Sequence, residues 1–142
     1  SITTDVLAGF PGESEEEFQE TYRFCRDIRF SDMHVFPYSV RPGTSAAHFK
    51  GKVDPVTNGH RGKLLLELAR EHAKEFRGSL LGQVRPVLWE SRGTGHYDGQ
   101  WSGLTDNYVR VFAEDSRPLR NTITGTSLLQ ERDGALYGQV NC

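Results

Sequence analysis

The spacing of apolar and polar positions divides the chain into helical and extended stretches. "ITTDVLAGF" (residues 2–10) is β-branched and apolar with polar residues confined to its start, which predicts a strand buried on both faces of a parallel sheet. After the "FPG" turn, Phe18, Tyr22, Cys25 and Ile28 recur at helical spacing and predict a helix over about residues 14–29 with one apolar face. Ser14 and Glu17 have capping-box spacing, and Glu15, Glu16 and Glu17 lie where the helix dipole favours negative charge. "DMHVFPYSV" predicts a second strand, ended by "RPGTSA". Strand, helix and strand make a right-handed βαβ unit, and two parallel strands alone leave their edges unpaired. The chain is therefore expected to be the C-terminal portion of a longer polypeptide.

A second helix is predicted after "KGKVDPVTNGH", with Asp54 as N-cap and Pro55 at the first helical position. Leu65, Leu68, Ala69, His72 and Phe76 form its apolar stripe, and Arg61, Lys63, Arg70, Lys74 and Arg77 are expected at its periphery. Beyond "GSLLGQ" the period shortens. "VRPVLWE", "LTDNYVRVFAE", "NTITGTSLLQ" and "ALYGQV" are short β-branched and aromatic segments separated by turn residues, which predicts a small antiparallel barrel. In "NYVRVF", alternation puts Tyr108, Arg110 and Phe112 on one face and Val109 and Val111 on the core side. The fold class is α/β followed by all-β, with domains at residues 1–78 and 79–142.

Composition narrows the function classes. The chain has 142 residues, 36% hydrophobic and 25% charged, with no apolar run near the roughly 20 residues of a membrane span. With no membrane segment or signal peptide read in it, a cytoplasmic location is expected. Lys and Arg number 17 against 19 Asp and Glu, a net charge of −2, so no global basic field advertises nucleic acid. Residues 79–142 carry 6 basic against 7 acidic side chains, which argues against strong autonomous RNA affinity. Cys25 and Cys142 lack metal-binding spacing, and Cys25 falls on the apolar helix face. No metal ligand and no catalytic acid or base is indicated.

"TTDVLAGFPGESEEEF", "HVFPYSVRPGTSA" and "WSGLTDNYVRVF" together resemble the C-terminal half of the radical S-adenosylmethionine methylthiotransferases. The similarity is to the subgroup that converts threonylcarbamoyladenosine in tRNA to its 2-methylthio derivative. It implies the last strands and helices of a partial (β/α) barrel, "DVLAGFPGE" as the fifth strand and "MHVFPYS" as the sixth, followed by a TRAM-like β-barrel that holds RNA. It also implies S-adenosylmethionine and two 4Fe-4S clusters in the full-length parent, whose cysteine ligands do not occur here, so this chain alone is expected to be inactive. Aligned with the family's GxIxGxxE pattern, Leu7 takes the adenine-facing position and Gly9 the second glycine, while Asp5 replaces the first and Glu13 falls one residue late. Phe36 and Tyr38 would bound the cofactor pocket, or serve as barrel core, and Arg41 would pair with a carboxylate or phosphate. Trp101, Asn107, Tyr108 and Arg110 are the candidate RNA contacts, by stacking and by meeting base edges or phosphates. The implied partners are a tRNA anticodon stem-loop and the missing N-terminal part of the same polypeptide. Two alternatives are a non-catalytic RNA-binding adaptor and a methylthiotransferase acting on a ribosomal-protein aspartate.

Overall fold

A computed structural model describes residues 1–93 and 98–141. The chain divides into two compact units, Ser1–Ala73 and Lys74–Cys142. In the first, β1 (Thr3–Ala8) and β2 (Asp32–Pro37) pair in parallel with Thr3 opposite Asp32 and Ala8 opposite Pro37. Helix α1 (Glu15–Ile28) makes the crossover between them. A short 3₁₀ turn, Ser45–His48, leads to α2 (Pro55–Ser79), whose residues 74–79 belong to the second unit.

Local chemistry sets these boundaries. Ser14 caps α1 through a reciprocal capping box, its hydroxyl accepting from the Glu17 amide at 3.2 Å while Glu17 accepts from the Ser14 amide at 2.8 Å. Asp54 accepts from the amides of Val56 and Thr57, both at 3.0 Å, and so caps α2. The Thr57 side chain first, then the Thr57 amide and to a smaller extent the Val56 amide, hold the Asp54 carboxyl below its ordinary value.

Three expectations need correction in this unit. First, β1 is buried on one face only: Val6 and Ala8 join Met33 in the core, whereas Leu7 and Phe36 stand exposed on the other side. The two helices cover one face of the sheet, and Leu7 and Phe36 lie on the other. Second, Ile28 is exposed. Arg29 adopts a left-handed conformation and ends the helix, so Phe30 rather than Ile28 enters the core. Third, Arg61 is not peripheral but 4% exposed, for reasons given below.

The second unit is a closed barrel of β3 (Val84–Arg92), β4 (Trp101–Thr105), β5 (Arg110–Ala113), β6 (Ile123–Arg132) and β7 (Ala135–Val140), in the order β3-β4-β5-β7-β6. Every neighbouring pair is antiparallel except β5 and β7, which run parallel. The expected all-antiparallel barrel is corrected by geometry: a ring of five strands cannot alternate direction all the way round, so one parallel pair is obligatory. Val87, Trp89, Val111, Leu128 and Leu136 are fully buried inside it. The Trp89 indole N–H donates to Thr124 Oγ1 at 2.8 Å, satisfying the one polar atom that its burial would orphan.

The "LTDNYVRVF" segment is not one strand but a hairpin. The Tyr108 amide donates to Thr105 O and the Thr105 amide to Val109 O, both at 3.0 Å, and Tyr108 sits at φ 63°. Asp and Asn favour such turns. The alternation expected for Tyr108, Arg110 and Phe112 therefore fails at both ends: Tyr108 is 82% exposed on the turn and outside the strand, while Phe112, expected on the outer face with it, is 8% exposed against Tyr137. Val109 and Val111 are in the core as expected. The β6–β7 hairpin turns on Asp133 and Gly134, both at positive φ, in the two-residue form whose twist suits adjoining strands. Among the described residues, no helix is long and apolar enough to cross a membrane.

Gly138 marks the tightest strand approach near that hairpin. A Cβ there would lie 2.6 Å from the Ser127 carbonyl oxygen and 2.8 Å from Thr126 Cγ2. Gly138→Ala is expected to destabilise the barrel by about 1–3 kcal/mol, because backbone rather than a flexible side chain must give way. Urea unfolding followed by Trp89 and Trp101 fluorescence measures it.

Candidate functional site

The open face of the β1–β2 sheet carries the residues singled out on these strands. Leu7 and Phe36 are cross-strand neighbours, 47% and 50% exposed, so the ladder itself sets an apolar floor. The Tyr38 amide donates to Ala8 O at 2.8 Å, extending the ladder beyond Pro37 and bringing the Tyr38 ring to one side. Arg41 lies in a turn closed by Thr44, whose hydroxyl donates to Arg41 O at 2.8 Å. Leu7, Phe36, Tyr38 and Arg41, with Thr44 and Ala46, line one cleft of about 490 Å³. Gly9 does not line it. It forms the turn behind, at φ 74°.

The cleft has the chemistry for an adenosine-like ligand: two apolar side chains side by side, a tyrosine wall and a guanidinium at the rim. The Tyr38 hydroxyl is buried without a hydrogen-bond partner, as is Asn58 Oδ1 behind the Gly9 turn. S-adenosylmethionine suits these residues. An iron-sulfur cluster does not, because it needs several thiolates. Cys25 is 2% exposed in the core, where burial pushes its thiol up, and Cys142 lies outside the described residues. Among the described residues, no three His, Cys, Asp or Glu side chains are grouped to hold a metal ion.

A buried ion pair that sequence reasoning missed stands behind the cleft. Arg61 Nη1 donates to Glu13 Oε2 at 2.7 Å and to Glu13 O at 3.1 Å, and Nη2 donates to Glu15 Oε2 at 3.1 Å. The Gly9 amide donates to the same Glu13 oxygen at 2.7 Å. Burial alone would depress Arg61, but hydrogen bonds to Glu15 and Glu13 outweigh it and raise the guanidinium above its ordinary value. The Gln19 amide and then Arg61 hold Glu15 below its own. Glu13, one residue late for the family pattern, is thus the acceptor that closes the turn. The missed signal was spacing: Asn58 and Arg61 are one helical turn apart, and the Asn58 side-chain Nδ2 donates to Tyr38 O at 3.2 Å.

Further along the open face the lining turns polar. His34 Nδ1 lies 3.2 Å from Asp5 Oδ1, and a hollow of about 280 Å³ there also touches Thr3 and Asp32. Asp5, in the place of the pattern's first glycine, is therefore occupied by a cross-strand partner.

The four residues selected in the second unit differ in exposure and in the partners they hold. Trp101 is 6% exposed, its indole N–H donating to Asp115 O at 3.2 Å and its ring covered by Arg92. Asn107 accepts from the Thr105 hydroxyl at 2.5 Å. Arg110 pairs with Glu90 at 2.5 Å and donates to Ser102 Oγ at 3.1 Å. Only Tyr108 projects fully. Arg85 and Arg117 likewise bind Asp106 and Asp115, so much of the basic charge here is locally neutralised.

No family model matches the chain. It is 36% identical over 131 residues, 92% of its length, to the threonylcarbamoyladenosine tRNA methylthiotransferase MtaB of Bacillus subtilis (strain 168). To the protein of the same name from Aquifex aeolicus (strain VF5) it is 40% identical over 115 residues, 80% of its length. To the tRNA-2-methylthio-N(6)-dimethylallyladenosine synthase of Aliarcobacter butzleri (strain RM4018) it is 34% identical over 140 residues, 98% of its length. The chain belongs to the tRNA methylthiotransferase family. It spans 29%, 26% and 31% of these relatives, so it corresponds to under a third of a methylthiotransferase of this family. The family resemblance read from the three motifs is borne out.

Two predictions follow from these charges. Arg61→Leu would leave Glu13 buried without its counter-charge and is expected to cost about 3–5 kcal/mol, against about 0.5 kcal/mol or less for the exposed Lys63→Ala; chemical denaturation compares them. Asp115 is depressed from 3.8 to about 2, mainly by its hydrogen bonds from Arg117. Its depressed folded value means that its stabilising contribution is intact above the ordinary value and lost as pH falls towards about 2. Arg117→Ala should move the Asp115 titration back up, read by carboxyl NMR shifts.

Proposed function

We propose that residues 1–78 supply the last strands and linking helix of a radical S-adenosylmethionine barrel, and residues 79–142 a TRAM-like RNA-holding barrel. The parent enzyme methylthiolates C2 of N6-threonylcarbamoyladenosine beside the anticodon of tRNA, in the cytoplasm. The observation that carries this reading is the meeting of Leu7, Phe36, Tyr38 and Arg41 around one cleft. Two relatives named for threonylcarbamoyladenosine support the choice of nucleoside.

S-adenosylmethionine, when bound, supplies radical chemistry and the methyl group. The residues of this chain bind and orient it. Leu7 and Phe36 offer the adenine an apolar plane whose position is fixed by strand pairing, which lowers the ordering cost of binding. Tyr38 closes one side and excludes water there. Arg41, fixed by the Thr44 turn, presents a planar fork to the ligand's carboxylate. Cluster thiolates come from elsewhere in the parent, so the chain by itself is inactive. Tyr108, held out by its turn, offers an accessible ring for a base, and the surrounding ion pairs keep that contact dependent on the rest of the enzyme for affinity.

The test is to express the gene carrying this chain in a bacterial strain lacking its own methylthiotransferases and to analyse tRNA nucleosides by mass spectrometry. Methylthio mass on threonylcarbamoyladenosine is expected. Methylthio mass only on dimethylallyladenosine would reassign the nucleoside, and unmodified tRNA with methylthio mass on a ribosomal protein would overturn the tRNA reading.

A further inference from the structure

We infer that Asn58 and Arg61 of α2 are positioning residues for the cleft, acting through the wall formed by Tyr38; this rests on the cofactor reading of that cleft. The floor needs no such help, since Leu7 and Phe36 face each other across a hydrogen-bonded ladder. The wall is different. Tyr38 lies just beyond the end of β2, where one hydrogen bond, from its amide to Ala8 O at 2.8 Å, is its last tie to the ladder.

Two further ties hold it, and both lead to α2. Directly, the Asn58 side-chain Nδ2 donates to Tyr38 O at 3.2 Å and orients the peptide that follows the ring. Indirectly, the Phe10 ring meets Tyr38 edge-on with centroids 5.4 Å apart. Phe10 follows Gly9, whose left-handed turn is closed by the Glu13 carboxylate at 2.7 Å, and that carboxylate is held by Arg61 at 2.7 Å. Arg61 and Asn58 occupy one face of the helix, a single turn apart.

The packing around these ties leaves little slack. A Cβ on Gly9 would collide with the Asn58 side chain, so the glycine is what lets Asn58 reach across to β2. Asn58 Oδ1 is buried there with no hydrogen-bond partner, and leaving a buried acceptor unpaired is costly. Arg61 spends its fork on three acceptors of Glu13 and Glu15 and lays its guanidinium 5.2 Å from the Phe18 ring centroid. Its Nε is buried without a hydrogen-bond partner, and Arg61 does not line the cleft. Its influence there passes through Glu13, Gly9 and Phe10 to Tyr38.

The experiment is a double-mutant cycle on the full-length parent carrying this chain, with S-adenosylhomocysteine as probe, calorimetric affinity as readout and a thermal melt alongside. Asn58→Ala and Arg61→Lys are each expected to weaken binding about tenfold, and by less than about twofold in a Tyr38→Ala background. Asn58→Ala leaves the Glu13 pair intact, so it carries the test if Arg61→Lys does not fold. Unchanged affinity in Asn58→Ala, or equal losses with and without Tyr38, overturns the inference alone; a lowered melting temperature without this background dependence marks a merely structural role. Wild-type parent that folds but does not bind the probe overturns the cofactor reading and the inference with it.

Discussion

A β-strand's edge exposes backbone donors and acceptors that must be paired, wetted or covered, and the two units meet that constraint in opposite ways. The second closes its sheet. With five strands, closure requires one parallel pair, which β5 and β7 supply, and it requires close approach, which Gly103 and Gly138 permit. At Gly103 a Cβ would stand 2.5 Å from the Leu88 carbonyl oxygen. The first unit has only two strands, and helices cover one of their faces. Its other face displays Leu7 and Phe36 to solvent, and the cleft exists because of that openness.

What was legible in the sequence was what local rules determine. The Ser14–Glu17 box, the Asp54 cap and the paired parallel strands each follow from residues within a few positions of one another or from the period of an apolar stripe. The cleft was legible in part: motif position selected Leu7, Phe36, Tyr38 and Arg41, strand register sets Leu7 beside Phe36, and the segment after β2 brings Tyr38 and Arg41 to the same cleft. The "LTDNYVRVF" hairpin was not, because its apolar alternation resembles a strand while the decisive feature is Tyr108 at positive φ, a conformation uncommon outside glycine. Once the chain turns there, Tyr108 leaves the face it was assigned to, and the buried Trp101 no longer forms a platform with it.

Arg61 was illegible for a different reason. A cation among Lys63, Arg70 and Lys74 on a helix reads as solvated, and its partners lie 46 and 48 residues away. Only tertiary structure reveals that its side chain is 5% exposed and faces a carboxylate 12% exposed.

Such a pair is weak as a source of stability, since desolvating two charges offsets most of their attraction. Its value lies in geometry. The Gly9 amide sits at a sharp turn and needs an acceptor; the Glu13 carboxylate supplies one but cannot be buried without a counter-charge; and Arg61 satisfies it while also taking the Glu13 carbonyl. An apolar replacement would fill the volume and leave the Glu13 carboxylate without its counter-charge and the Glu13 carbonyl without its donor. A lysine would keep the charge but lose the planar fork that reaches separate acceptors at once. The guanidinium therefore defines one position for the Gly9 turn, and with it the direction in which Phe10 meets Tyr38. In a sheet with one face open, that constraint supplies at the strand ends the order that a covering layer supplies elsewhere.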